Sequence, residues 1–150
     1  MDTFDRQILR SLQNNCRLST DELGSQIGLS ATACQRRIKK LKESGKITKE
    51  VAILDGIHVG NYVTVIVEVT LKQGSANNID NFKKRVLSHP QVQQCYYVTG
   101  DRDFLLVAIA ENMLEYEKLT RELFFADSTI QKFQSTVVME NVKVGLDIPL

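Results

Sequence analysis

Thr32, Gln35, Arg36, Arg37, Lys39, Lys40, Lys42, Lys46 and Lys49 crowd one short run of this chain, with Cys34, Ile38 and Leu41 threaded between them. Glutamine can pair bidentately with adenine, arginine with guanine, and the threonine methyl suits thymine, so Thr32, Gln35 and Arg36 are candidate readers of base edges. Lysines at 39, 40, 42, 46 and 49 suit phosphates, which set affinity and register rather than sequence. A second cluster, TGDRDF at residues 99–104, offers different chemistry. Gly100 can expose backbone amides to a carboxylate, Asp101 or Asp103 can hold an ammonium group, and the hydroxyls of Thr99 and Thr136 can add hydrogen bonds. Arg102 has no evident task in it. On the residues alone, Gly-Asp is better explained as hairpin-turn chemistry in water.

The cationic run needs a helix to sort it. Advancing about 100° per residue from Cys34, Ile38 and Leu41 stay within about 40° of it and define a buried stripe. Thr32, Gln35, Arg36, Lys39, Lys40 and Glu43 then face away, while Arg37 and Lys42 lie on the flanks, their stems over apolar neighbours and their heads within reach of a phosphate. A cationic amphipathic helix is more often a solvated face than a nucleic-acid reader. The preceding residues change the balance. In LSTDELGSQIGLS, Ser19 and Glu22 have the spacing of a capping box, Leu23 and Ile27 make a buried face, and Gly28 can take positive φ. Ser30 then caps the basic helix, which ends at Gly45. A short helix, a glycine turn and a second helix with a small-residue leading end is the helix-turn-helix arrangement, whose second member enters the major groove. An earlier helix carries Phe4, Ile8, Leu9 and Leu12 on one stripe, with Asp2 or Thr3 to cap it and Asn14 and Asn15 to end it.

After Gly45, KITKEVAIL is rich in β-branched residues and predicts a wing or connecting strand. Gly56 and Gly60 break LDGIHVGN, which places a linker at 55–61 between domains at 1–54 and 62–150. The second half alternates. In YVTVIVEVTL, Val63, Val65, Val67, Val69 and Leu71 share one face of a strand. A helix over about 75–88 follows, cut off at His89-Pro90. Strands at VQQCYYV and DFLLVAIA flank a tight GDR turn, then come a helix in NMLEYEKLTRELFF and a last strand within IQKFQSTVVMENV. The order β-α-β-β-α-β is ferredoxin-like. The fold class is therefore α+β, a winged helix-turn-helix domain followed by a ferredoxin-like domain with an antiparallel sheet. FLLVAIA is apolar on both faces although helices cover only one, which leaves the other face, with Tyr62, Ile66 and Val138, for a second subunit or for the N-terminal helices.

Charge agrees with this division: residues 1–60 hold 10 Lys/Arg against 7 Asp/Glu, and residues 61–150 hold 9 against 11. The longest apolar run, FLLVAIA, is too short to span a bilayer, and MDTFDRQ is unlike a secretory signal, so no membrane association and a cytoplasmic location are expected. Three cysteines, Cys16, Cys34 and Cys95, fit neither a disulfide framework nor a zinc site and are expected to be reduced and mostly buried. No catalytic or metal-binding set and no cofactor motif stands out.

LSTDELGSQIGLSATACQRRIKKL, with Leu23, Gly24, Ile27, Gly28, Leu29 and Cys34 in the required register, followed by GDRDFLL and STVVMENVK, resembles the Lrp/AsnC family of bacterial and archaeal transcriptional regulators. The resemblance covers essentially the whole chain. Ala31 and Ala33 stand where relatives often carry proline, and Gly56 where proline often follows Leu-Asp. It implies a regulator that binds double-stranded DNA at the nucleoid, forms homodimers through its sheets and associates further, up to octamers. It also implies a small amino-acid effector bound between dimers, with Thr99, Gly100, Asp101, Arg102, Asp103 and Thr136 as candidate effector residues. Ser30, Thr32, Gln35, Arg36, Arg37, Lys39, Lys40 and Lys46 are the candidate DNA-binding residues. A protein that organises DNA architecturally, with weak sequence preference, is the alternative.

Overall fold

The computed structural model describes residues 1–72 and 76–150, which divide into two compact units, Met1–Ile53 with Lys143–Leu150, and Leu54–Val142. The first unit contains three helices, α1 (Thr3–Asn14), α2 (Thr20–Ile27) and α3 (Ala31–Glu43). Each begins at a polar cap. Asp2 accepts from the Asp5 amide while Asp5 reaches back to Asp2, and Ser19 and Glu22 do the same for α2. Ser30 accepts from the Ala33 amide. These bonds satisfy amides that the first helical turn leaves without partners. Gly28, at φ 75°, ends α2 in the left-handed region that glycine tolerates. Ile8, Leu23, Cys34 and Leu41 are buried where the helices meet, with Leu12, Leu18, Ile27 and Ile38 packed around them.

The expected wing is absent: among the described residues, 46–55 carry no strand. Val51 and Ile53 are exposed, and β-branched residues alone do not hold a strand without a partner ladder. The expected linker holds one short helix, α4 (Gly56–Gly60), which Asp55 caps through the Ile57 amide. By backbone proximity, Lys143–Leu150 cluster with the first unit.

The second unit contains β1 (Val63–Leu71), α5 (Ala76–Leu87), β2 (Val92–Tyr97), β3 (Phe104–Ala110), α6 (Met113–Thr120) and β4 (Ile130–Val137). The start expected for α5 at Ser75 lies outside the described residues. The sheet order is β2-β3-β1-β4 and every pairing is antiparallel, with β1 and β3 central, as the ferredoxin-like reading requires. Val65 faces Ala108, Val67 faces Leu106 and Val69 faces Phe104, so two apolar rows share one side. That side packs on Phe82 and Val86 of α5 and on Tyr116 and Leu119 of α6. Burying each such side chain stabilises by about 1.5–3 kcal/mol, which makes this row the main support of the unit. Ile66, paired with Val107, lies on the opposite face and stays partly exposed. The α6 segment runs on as a π-helical turn, Arg121–Phe125, which buries Leu123 and Phe124. Of the cysteines only Cys34 is buried; Cys16 and Cys95 are exposed, against expectation. Cys16 falls in the polar turn after α1, and Cys95 on the sheet-edge strand β2. Among the described residues, no helix is long and apolar enough to cross a membrane.

Candidate nucleic-acid interface and effector loop

Cys34 and Leu41 anchor α3 in the core, and this anchoring turns the opposite face outward. Thr32, Gln35, Arg36, Lys39 and Lys40 are all exposed, as is Ser30 at the leading end. Ser30 is occupied as the helix cap, its hydroxyl oxygen accepting from the Ala33 amide at 3.3 Å. Among the described residues, Arg36, Lys40 and Lys46 take part in no ion pair; Lys46 Nζ donates to Ser44 Oγ at 3.1 Å. Lys40 and Lys46 line one open depression together with Arg37, Asp5 and Met1. Lys39 lies 3.8 Å from Glu43 in a pair so exposed that it leaves the ammonium available.

Arg37 differs from the sequence reading. Its Nη1 donates to Asp2 Oδ2 and Asp5 Oδ1, both at 2.7 Å, and its guanidinium lies 5.5 Å from the Phe4 ring centroid. The head expected to reach a phosphate is held against the start of α1. The Asp5 amide and, next, Arg37 hold the Asp2 carboxyl below its usual range, while Asp2 and then Asp5 raise the Arg37 pKa. Lys42 is likewise engaged, with Glu50 at 2.7 Å. Sequence reasoning missed Asp2 and Asp5 as partners of Arg37. Their spacing of three at a helix start was visible, yet nothing local told that the α3 flank would meet it.

In the second unit, the residues joining β2 to β3 form a six-residue loop, 98–103, rather than a tight turn. The Val98 amide donates to the Asp103 carbonyl at 2.9 Å and closes the loop. Asp103 also binds β1: its amide donates to Val69 O at 2.9 Å and its Oδ2 accepts from the Leu71 amide at 2.7 Å. Asp103 is thus committed to holding the loop, whereas Asp101 is exposed. Thr99 and Gly100 are exposed beside it, and Gly100 has φ 110°. Arg102, unplaced by sequence, finds a partner in Glu68, with Nε to Oε2 at 2.7 Å. Glu68 is the lone charge in the valine-rich β1, and that isolation was the available signal. Thr136 pairs with Ile66 and Gln134 with Glu68, so Thr136 shares Glu68's sheet face, two residues (about 7 Å) along. The structure brings Glu68 and Arg102 together, with the Asp101 carbonyl accepting from Arg102 Nη1 and Thr70 Oγ1, and sets Thr136 diagonally beyond Glu68.

Comparison with known proteins follows the same division. An AsnC-type helix-turn-helix domain model matches residues 1–42, and the Lrp/AsnC ligand binding domain model matches residues 64–147. An HTH-type transcriptional regulator of Sinorhizobium fredii is 41% identical over 150 residues, covering 100% of this chain and 89% of the relative. The leucine-responsive regulatory protein of Escherichia coli is 34% identical over 143 residues, covering 95% of this chain and 87% of the relative. Among solved structures, an AsnC family transcriptional regulator from Agrobacterium tumefaciens superposes with a TM-score of 0.93 at 34% identity, covering 99% of this chain and 97% of that one. A transcriptional regulator of Neisseria meningitidis in complex with L-Met gives a TM-score of 0.93 at 28% identity, covering 99% and 96%.

Proposed function

Because the chain belongs to the Lrp/AsnC family of transcriptional regulators, we propose that it binds duplex DNA sequence-specifically through α3, as an oligomer whose state responds to a small amino acid. The observation that carries this reading is the exposed face of α3 opposite Cys34, with Thr32, Gln35 and Arg36 toward its leading end and cations behind them. Thr32, Gln35 and Arg36 contact base edges. Lys39, Lys40 and Lys46 contact phosphates. Arg37 supports the face from behind through Asp2 and Asp5, and Ser30 shapes the helix end that approaches the groove. The partly exposed apolar row of Ile66 and Val107 packs against a second copy of the sheet.

A small zwitterion suits the loop 98–103. Its carboxylate meets amides near Gly100, and its ammonium group meets Asp101. Arg102, held by Glu68, sets the width of the opening, and Thr99 and Thr136 line the approach. The L-Met complex of the Neisseria relative supports an amino acid as the chemical class.

The test is a titration of duplex DNA selected from a random pool, with random duplex as competitor. Arg36→Ala should lower discrimination between the two by about 1–3 kcal/mol, whereas Lys46→Ala should weaken both alike and reduce the salt slope by about 0.9. An unchanged ratio in Arg36→Ala would remove that residue from the reading face. Affinity that never distinguishes selected from random duplex would favour the architectural alternative. For the effector, light-scattering mass across the amino acids should change with at least one of them, together with a higher melting temperature. Silence from all of them would rule out the loop as an amino-acid site.

A further inference from the structure

Lys143–Leu150 cluster with the helix-turn-helix unit. Val144, Leu146 and Ile148 recur at every second position with Asp147 between the last two, yet all three side chains are exposed, so main-chain bonds rather than a buried apolar face hold this segment. Two residues of α1 hold this chain. The Gln13 side chain donates from Nε2 to the Ile148 carbonyl at 3.0 Å and accepts the Ile148 amide at Oε1, 2.7 Å away. Arg10 Nη2 donates to the Leu150 carbonyl. A carboxamide carries the same donor and acceptor as a peptide group, so Gln13 acts toward Ile148 as a neighbouring strand would.

Pro149 fits between the two anchored residues. It has no amide to leave unpaired, and it biases Ile148 to the extended region in which both its main-chain groups point at one partner. Arg10 and Gln13 lie three residues apart on the side of α1 away from buried Ile8, so both reach the same passing strand. Neither residue belongs to α3.

We propose that the Arg10–Gln13 face of α1 is a docking surface for the chain's own segment Val144–Leu150, which serves as a strap on the DNA-binding unit. That unit is then attached to the rest of the chain at both ends of Leu54–Val142.

Hydrogen exchange at the Ile148 amide in the whole protein tests this. Exchange should be slowed about tenfold or more relative to an unprotected chain, the scale of a bond worth about 1.4 kcal/mol. Gln13→Ala should abolish that protection, and Gln13→Glu, which keeps the acceptor for the amide, should preserve most of it. Arg6→Ala, about two turns before Gln13 on the same helix, should leave it unchanged. The proposal is overturned if the Ile148 amide of the unaltered protein exchanges freely, or if Arg6→Ala removes protection as fully as Gln13→Ala. Protection that appears only as protein concentration rises would also overturn it, because the strap would then come from another copy.

Discussion

In Met1–Ile53, many of the side chains that set geometry are polar and exposed, whereas in Leu54–Val142 they are apolar and buried. Asp2, Asp5, Ser19, Glu22, Ser30 and Arg37 fix helix ends and the approach of α1 to α3 around a core of Ile8, Leu23, Cys34 and Leu41. The second unit instead stacks the valines of β1 and the Phe104 row of β3 on two helices. The difference follows from what each surface must do. A short three-helix unit that leaves one face of α3 in solvent keeps a small core, and its register depends on caps and ion pairs. A sheet whose two central strands bury one face can tolerate a loop such as 98–103 at its end, because that burial does not depend on the loop.

The largest effect should come from breaking the apolar side. Phe104 is fully buried and its ring lies 4.6 Å from that of Phe82, so Phe104→Ala should cost about 3–5 kcal/mol, read as a drop in the urea midpoint at constant slope. A loss under 1 kcal/mol would mean that the core is not packed as described. Next comes a place where two helices of the N-terminal unit approach closely. A Cβ on Gly24 would lie 2.4 Å from the Leu29 carbonyl oxygen, backbone that cannot step aside. Gly→Ala inside a helix ordinarily stabilises by about 0.4–1 kcal/mol. Here the clash should reverse the sign and cost about 1–3 kcal/mol, with DNA affinity falling alongside, since the α2–α3 turn must open. A stabilised Gly24→Ala protein would show that the helices are not in this register.

Much of this was legible in the residues, and unevenly so. The capping box at Ser19 and Glu22, the glycine stop at 28 and the alternation over 63–71 are local rules, and the structure obeys each of them. The β2-β3-β1-β4 order was likewise readable, because few topologies serve a β-α-β-β-α-β chain. Strand expectation failed at Val51 and Ile53, where β-branching was present and no partner strand was. The attachment of the tail was not legible for a related reason: the carboxamide of Gln13, far earlier in the chain, is what Ile148 binds. At the candidate sites, exposure of Gln35 and Arg36 followed from helical phase alone. The engagement of Arg37 by Asp2 and Asp5, and of Arg102 by Glu68, did not, since ion pairs between distant elements leave no spacing to read.

The smaller effects probe the polar shell directly. Ser19→Ala removes one half of the α2 capping box and should cost about 1 kcal/mol in thermal unfolding. The pH dependence is finer still. The Asp2 carboxyl is held below its ordinary range chiefly by the Asp5 amide and then by Arg37, and the Glu22 carboxyl by the Ser19 hydroxyl and then the Ser19 amide. A depressed carboxyl contributes stability above its unfolded pKa, about 4, and loses it as pH falls through the lower folded value. In the second unit the sign is opposite. Burial raises the Tyr116 pKa, opposed in part by its 2.5 Å hydrogen bond with Ser135. That contribution is complete below the ordinary tyrosine value, about 10, and is lost as pH rises through the folded one. Backbone amide shifts at Asp5 and Ser19 should therefore move in acid, and the ring signals of Tyr116 only in strong alkali. If the Asp5 and Ser19 amides titrated with the midpoint of an unstructured carboxylate, the caps would contribute nothing, and the N-terminal unit would rest on its small core alone.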